Sequence, residues 1–273
     1  MPELPEVETT KRGIEQLICH IPIQQFIVRQ HQLRWPVATE LATTLPGLVI
    51  ESVSRRAKYL LLKTREGHLI IHLGMSGHLR VLPASQAVAK HDHLDLVFEN
   101  GQCLRYHDPR RFGAWLWTTE PIEQHPLLRN LGPEPLTDAF NPHYLFDISR
   151  GRKTAIKAFI MNNQNVVGVG NIYANESLFL SGLHPLKPAF ELTFKQCEKL
   201  VETIRQVLAA AITQGGTTLK DFVAPSGQTG YFSLQLYVYD QAGKTCQKCN
   251  AIIQREVHFQ RASYFCPHCQ PRH

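Results

Sequence analysis

Residues 153–179 read KTAIKAFIMNNQNVVGVGNIYANESLF. The period is helical up to Asn162 and Asn163, breaks, and resumes at about Asn171. Between the two helices VVGVGN is a compact turn. Its glycines at 168 and 170 let backbone N–H groups and the following helix N-terminus come close to an anion. Lys157 on the first helix and Asn171 at the start of the second could then hold the same phosphate. A plain helical hairpin with a tight turn accounts for the same residues, so the stretch settles a helix-turn-helix but not its use.

Toward the C-terminus the helical period continues through TFKQCEKLVETIRQVLAAAITQGG, and GGTTLKDFVAPSGQTGYF (215–232) is too polar and glycine-bearing for a core element. Residues 235–270 alternate as a hairpin and carry Cys246/Cys249 and Cys266/Cys269, two Cys-x-x-Cys pairs sixteen residues apart. Four thiolates folded back onto one another suit tetrahedral Zn²⁺. With every position filled by protein, no place remains for a catalytic water, and the ion is expected to be structural. His258 and His268 lie nearby but two complete pairs make them unnecessary as ligands. Arg255 and Arg261 fall between the pairs, where a hairpin would expose them to a phosphate or to solvent.

Toward the N-terminus, the Pro- and turn-rich residues 125–142 look like a connection between domains. Before it, residues 21–120 change texture: KYLLLKT, HLIIHLG, HLDLVFE and CLRYHD are short apolar or alternating runs separated by turn residues. They predict an antiparallel β-sandwich or barrel-like domain, fronted by a helix over residues 3–18. The expected layout is a multidomain α+β chain: 2–124 a sandwich domain, 143–234 a helical domain with a loop, and 235–270 a zinc hairpin.

Composition bounds the partners. At 273 residues, 43% hydrophobic and 19% charged, the chain can bury real cores. Its formal charge of +6 favours an anionic partner. No run is long enough to cross a bilayer and no lysine-rich amphipathic helix argues for a membrane surface. Seven cysteines, three of them scattered, fit a reducing cytosol better than a disulfide scaffold. A cytoplasmic protein without a secretory signal is expected.

The first six residues, MPELPE, pose a separate question. If Met1 is removed, Pro2 presents a secondary amine whose reference pKa, about 7.7–8.0, leaves a useful fraction unprotonated near neutrality. Attack on a carbonyl carbon would give an iminium ion, an electron sink, and Glu3 would stand beside it to shuttle protons, with Glu6 a lesser candidate. A stiff entry to a helix explains the same prolines.

Four stretches in order, PELPEVET, RRAKYLLL (55–62), VVGVGNIYANESLF (166–179) and the C-x2-C-x16-C-x2-C terminus, resemble the bacterial formamidopyrimidine-DNA glycosylases. IHLGMSGHLR, KHDHLDLVF, DPRRFGAWLW, LGPEP and QGGTTLKDF are similar as well, so the resemblance spans residues 2 to about 270. It implies an N-terminal β-sandwich with a flanking helix, a helix-two-turn-helix domain and a zinc finger, with damaged double-stranded DNA crossing between domains. It also implies a monomer that excises oxidised purines, 8-oxoguanine and formamidopyrimidines, and then cuts the strand by β,δ-elimination. Leu4 stands where the endonuclease VIII branch, which prefers oxidised pyrimidines, usually has glycine. By the same resemblance Pro2 and Glu3 are catalytic, with Lys58 and Arg261 as proton donors in the β- and δ-steps. Met75, Arg110 and Phe112 fill the hole left by the flipped base; His91, Arg152, Lys157 and Asn171 contact DNA; Lys220 serves 8-oxoguanine recognition. A zinc protein that only binds DNA would be indifferent to the Pro2 amine.

Overall fold

The computed structural model describes residues 2–215, 236–258 and 260–272. The chain divides into two compact units, one running to Arg129 and the other taking Asn130–Gln214 together with the C-terminal residues.

The first unit opens with α1 (Leu4–Ile18), which buries Val7, Ile14 and Ile18. Eight strands follow: β1 (Ile23–Val28), β2 (Ser52–Arg56), β3 (Tyr59–Lys63), β4 (His68–His72), β5 (His78–Pro83), β6 (Asp92–Phe98), β7 (Gln102–His107) and β8 (Ala114–Thr118). A single helical turn, α2 (Leu41–Thr44), lies between β1 and β2. The strands form two antiparallel four-stranded sheets, in the orders β1-β6-β7-β5 and β2-β3-β4-β8. The architecture is therefore an open sandwich and not a closed barrel. Leu60, Leu62 and Ile71 from one sheet and Leu94, Leu96 and Leu104 from the other share a core with Phe26, Tyr106 and Trp115. Burying such side chains is worth about 1.5–3 kcal/mol each.

Every residue of β6 is buried, although its alternation predicts one polar face toward water. The covering is ionic: Arg105 forms two hydrogen bonds of 2.8 Å to Asp95, and Arg29 a third of 2.6 Å. Burial alone would raise the Asp95 carboxyl, but these guanidinium bonds outweigh it and its pKa lies below the ordinary value. With β6 paired at both edges and its side chains buried on both faces, its charges are paired and not solvated.

The second unit holds α3 (Pro142–Ser149), α4 (Ile156–Met161), α5 (Asn171–Ser181), α6 (Phe194–Thr213) and the hairpin β9 (Gln254–His258)–β10 (Arg261–Phe265). Asn141 caps α3 by accepting the Tyr144 N–H, and Thr193 with Gln196 forms a capping box on α6. The turn-rich stretch 125–142 is more than a connection: Phe140 is fully buried, and Arg205 of α6 donates to the Thr137 and Phe140 carbonyls. Short-range turn signals do not reveal that a loop has a helix to pack against. No described helix is long and apolar enough to cross a membrane.

Candidate active site and nucleic-acid interface

Pro2 and Glu3 are both buried at the head of α1. The backbone of Glu3 is extended and its N–H donates to Glu6 Oε2 at 2.8 Å, the reciprocal half of a capping box. Pro5 occupies the first turn, where its missing N–H leaves no bond unmade. Pro2 is thus carried on a stiff, capped helix end, and Glu6 is occupied in holding the backbone.

Glu8, one turn further, anchors that helix to the sheet. Its Oε2 accepts from Arg55 Nε at 2.9 Å, and Arg55 Nη1 donates to the Ala57 carbonyl at 2.9 Å. Burial favours the neutral acid at Glu8, but hydrogen bonds from Arg55 and Arg12 win and hold its carboxyl below the usual range. Ala57 takes a left-handed φ of 53° in the β2–β3 turn, and Lys58, buried, is the next residue. The chain α1–Glu8–Arg55–Ala57 therefore ties the turn bearing Lys58 to the helix bearing Pro2. Neither Glu8 nor Arg55 stood out in the sequence, where each lies unremarked inside a matching stretch. His72 was missed as well. Burial, with Lys58 and Arg34 adding, lowers its pKa to about 4, and its Nδ1 accepts the Gly74 N–H at 3.0 Å. It is neutral at physiological pH and cannot add a competing charge beside Lys58.

Met75, Arg110 and Phe112 come together around a cleft of about 640 Å³ that Arg34 and His72 also line. Core packing does not account for them: Met75 is 37% and Phe112 45% exposed. Arg110 places its guanidinium 5.0 Å over the Phe112 ring. His91 is half-buried, with its ring near those of His93 and His107 and its carbonyl accepting the Asp108 N–H at 3.0 Å.

In the second unit the turn between α4 and α5 behaves as its glycines require. Gly168 has φ of 79°, and Gly170 is the N-cap of α5. Lys157 and Asn171 converge on one acceptor, the Ala262 carbonyl of β10, at 2.6 and 3.1 Å, and Lys157 also reaches Ser263 Oγ at 2.9 Å. The two residues expected to share a phosphate do share a partner, and that partner is backbone. Arg261 precedes it on β10 and is exposed; Arg152 is exposed before α4. Among the described residues no carboxylate pairs with Arg110, Arg152 or Arg261. Two residues inside α5 were not singled out: Asn175 accepts the Tyr264 N–H at 2.8 Å, and Glu176 accepts those of Tyr237, Val238 and Tyr239 at 2.8, 2.9 and 2.8 Å. They dock the hairpin region onto the helix, and only a docked partner distinguishes them from a solvated face.

The four cysteines place one Sγ each within 4.8 Å of one another. Cys246–Cys269 and Cys249–Cys266 separations are 3.9 and 3.4 Å. These bracket the ~3.8 Å edge of a tetrahedron with Zn–S bonds of ~2.3 Å. The Lys248 and Cys269 N–H groups point at Cys246 and Cys266 sulfur, both at 3.4 Å, as thiolate ligands need. Gln270, fully buried, joins the second knuckle to the Leu183 carbonyl. The donor set fits one structural zinc ion. Lys220 lies outside the described residues.

Residues 1–115 match the model of the formamidopyrimidine-DNA glycosylase N-terminal domain. Residues 131–223 match that of the same enzyme's H2TH domain, and residues 243–272 a zinc finger found in FPG and IleRS. A formamidopyrimidine-DNA glycosylase of Hydrogenovibrio crunogenus is 62% identical over 270 residues, covering 99% of this chain and 96% of the relative. The Lactococcus lactis Fpg in complex with DNA containing an abasic site superposes with a TM-score of 0.91 at 33% identity, over 99% of this chain and 100% of that one. A proline-substituted mutant of that Fpg, bound to DNA containing Fapy-dG, gives a TM-score of 0.93 at 34% identity, with the same coverage. Sandwich, helix-two-turn-helix and four-cysteine hairpin thus match in order over the whole length, and the chain belongs to the formamidopyrimidine-DNA glycosylase family of DNA-repair enzymes.

Proposed function

We propose that this chain excises oxidised purines from duplex DNA through the amine of Pro2 and then cleaves the strand. The observation that carries this reading is the head of α1, where Pro2 and Glu3 are buried together and braced to the Lys58 turn through Glu8 and Arg55. A base inside the stack is unreachable, so the damaged nucleotide turns out of the helix. The Pro2 nitrogen then bonds to the deoxyribose C1′ as the bond to the base breaks. Glu3 delivers a proton to the opening sugar, and the resulting iminium acidifies the neighbouring C2′–H. Loss of that proton expels the 3′ phosphate, with Lys58 as proton donor, and a second elimination at which Arg261 donates expels the 5′ phosphate. Met75, Arg110 and Phe112 occupy the vacated space in the duplex. Lys157, Asn171, Arg152, His91 and Arg261 take backbone phosphates, which requires Lys157 and Asn171 to offer their N–H groups outward. The enzyme works as a monomer in the cytoplasm, on the nucleoid.

The substrate class is tested by single-turnover excision of 8-oxoguanine opposite cytosine, formamidopyrimidine and an oxidised pyrimidine. The parent should favour both purines. Lys220→Ala should lose 8-oxoguanine excision more than cleavage at a preformed abasic site, where no base needs recognition. Fastest parental turnover on the pyrimidine would overturn the purine preference, and equal loss on all substrates would make Lys220 a general DNA contact.

Arg261→Ala should weaken binding to undamaged duplex and flatten the dependence of log K on log[salt] by about 0.9, the release of one phosphate's counterions. Unchanged affinity, slope and strand cleavage would remove Arg261 from the interface.

A further inference from the structure

The two loops bearing Met75 and Arg110–Phe112 are joined through one carboxylate. Asp108 is fully buried. Its Oδ1 accepts from Ser76 Oγ at 2.6 Å, and its Oδ2 from Tyr106 Oη and the Gly113 N–H, both at 2.9 Å. The Arg110 N–H points at both Asp108 Oδ1 and Ser76 Oγ, at 3.3 Å each. Ser76 follows Met75, whereas Arg110 and Gly113 flank Phe112, so the donors come from both loops and from the sheet strand β7 beneath them.

Packing reinforces the same joint. A Cβ on Gly77 or Gly113 would overlap the Tyr106 hydroxyl, and one on Gly74 would collide with the backbone of Phe112 and Gly113. The loops therefore touch backbone to backbone, with the phenol wedged between them. Burial and the adjacent Asp108 carboxylate push the Tyr106 hydroxyl well above its ordinary pKa, so it stays a donor. A buried ion with several donors is expensive to disturb, because removing it strands all of them at once.

We infer that Asp108 is a positioning residue that locks the Met75 loop and the Arg110–Phe112 loop into a single preassembled wedge, which enters the duplex as one body. This rests on the void-filling role proposed above. It predicts that neither loop can be loosened without loosening the other.

The experiment is a double-mutant cycle between Ser76→Ala, on the first loop, and Phe112→Ala, on the second, read as single-turnover excision of 8-oxoguanine from duplex. Asp108→Asn and Tyr106→Phe are measured alongside. All are also assayed for cleavage of a single-stranded abasic oligonucleotide, which has no helix to fill. A single wedge predicts that Phe112→Ala and Asp108→Asn each slow duplex excision by about tenfold or more, with Tyr106→Phe smaller in the same direction. The Ser76→Ala/Phe112→Ala double variant should be within about twofold of the slower single one, since coupled sites are not additive. Cleavage of the single strand by the Ser76→Ala, Asp108→Asn and Tyr106→Phe variants should stay within about twofold of the parent. Effects that multiply across the two loops would overturn the single wedge while leaving void filling intact. Equal loss on the single-stranded substrate by the Tyr106→Phe variant would reduce the cluster to general fold maintenance and overturn the positioning role. A parental duplex rate for Phe112→Ala would instead refute void filling itself.

Discussion

Capping the α-amine of Pro2, by an acetyl group or a retained N-terminal methionine, should slow base excision at least about 10³-fold, equivalent to roughly 4 kcal/mol in the barrier. The expectation follows from what the head of α1 offers and what it lacks. Glu3 is buried beside the amine, and Glu6 is engaged by the Glu3 backbone. Lys58, the nearest alternative amine by position in the mechanism, serves there as the proton donor of the β-step and not as the attacking group. An amide or a displaced amine therefore leaves no competent nucleophile. The same modification adds no charge to a phosphate-contacting residue, so duplex affinity should change by only about threefold or less. Single-turnover excision with and without the block, paired with binding to undamaged duplex, checks both halves. Parental excision by a fully blocked protein would remove Pro2 from the chemistry.

Withdrawing the zinc should have an equally large effect in the other unit. The hairpin's own core is small: Phe179, Val238, Ile253 and Tyr264 with the cysteines themselves. So few apolar side chains cannot hold a fold of this size. Structural zinc contributes about 10–16 kcal/mol in isolated fingers, which exceeds anything the Asn175 and Glu176 hydrogen bonds can supply. A strong chelator, or Cys266→Ala, should release β9 and β10. It should lower duplex affinity by more than about 100-fold, because Arg261 and the Ala262 carbonyl that gathers Lys157 and Asn171 leave together. The sandwich unit, whose core contains none of these residues, should keep its melting transition. Calorimetry and duplex binding on the same chelated sample separate the two effects, and full-strength binding by zinc-free protein would contradict the account.

How much of this was legible in the sequence depends on the range of the interactions. Helix α1, the α4–turn–α5 unit and the cysteine spacing were readable because each rests on local rules: Pro5 in a first turn, Gly168 at positive φ, thiolates in close pairs. The sandwich was readable as texture, but sheet order was not, since strand alternation says nothing of who pairs with whom. The polar residues that brace the sites were not visible as such. Glu8, Arg55, Asp108 and Glu176 carry no local signature, and their partners lie up to 63 positions away, as with Glu176 and Tyr239. Asp108 lies within a matching motif, and nothing in DPRRFGAWLW says that its carboxylate holds a serine from another loop. Lys157 and Asn171 were readable as neighbours, while the backbone carbonyl they share came from a strand more than ninety residues away.

The central claim is that the N-terminal secondary amine becomes bonded to the sugar, and borohydride trapping tests it most directly. Reduction during reaction with 8-oxoguanine duplex should convert the iminium to a stable amine and yield a covalent protein–DNA adduct. Peptide mass mapping should place that adduct on Pro2. An adduct mapped to a lysine such as Lys58, with Pro2 unmodified, would contradict the mechanism.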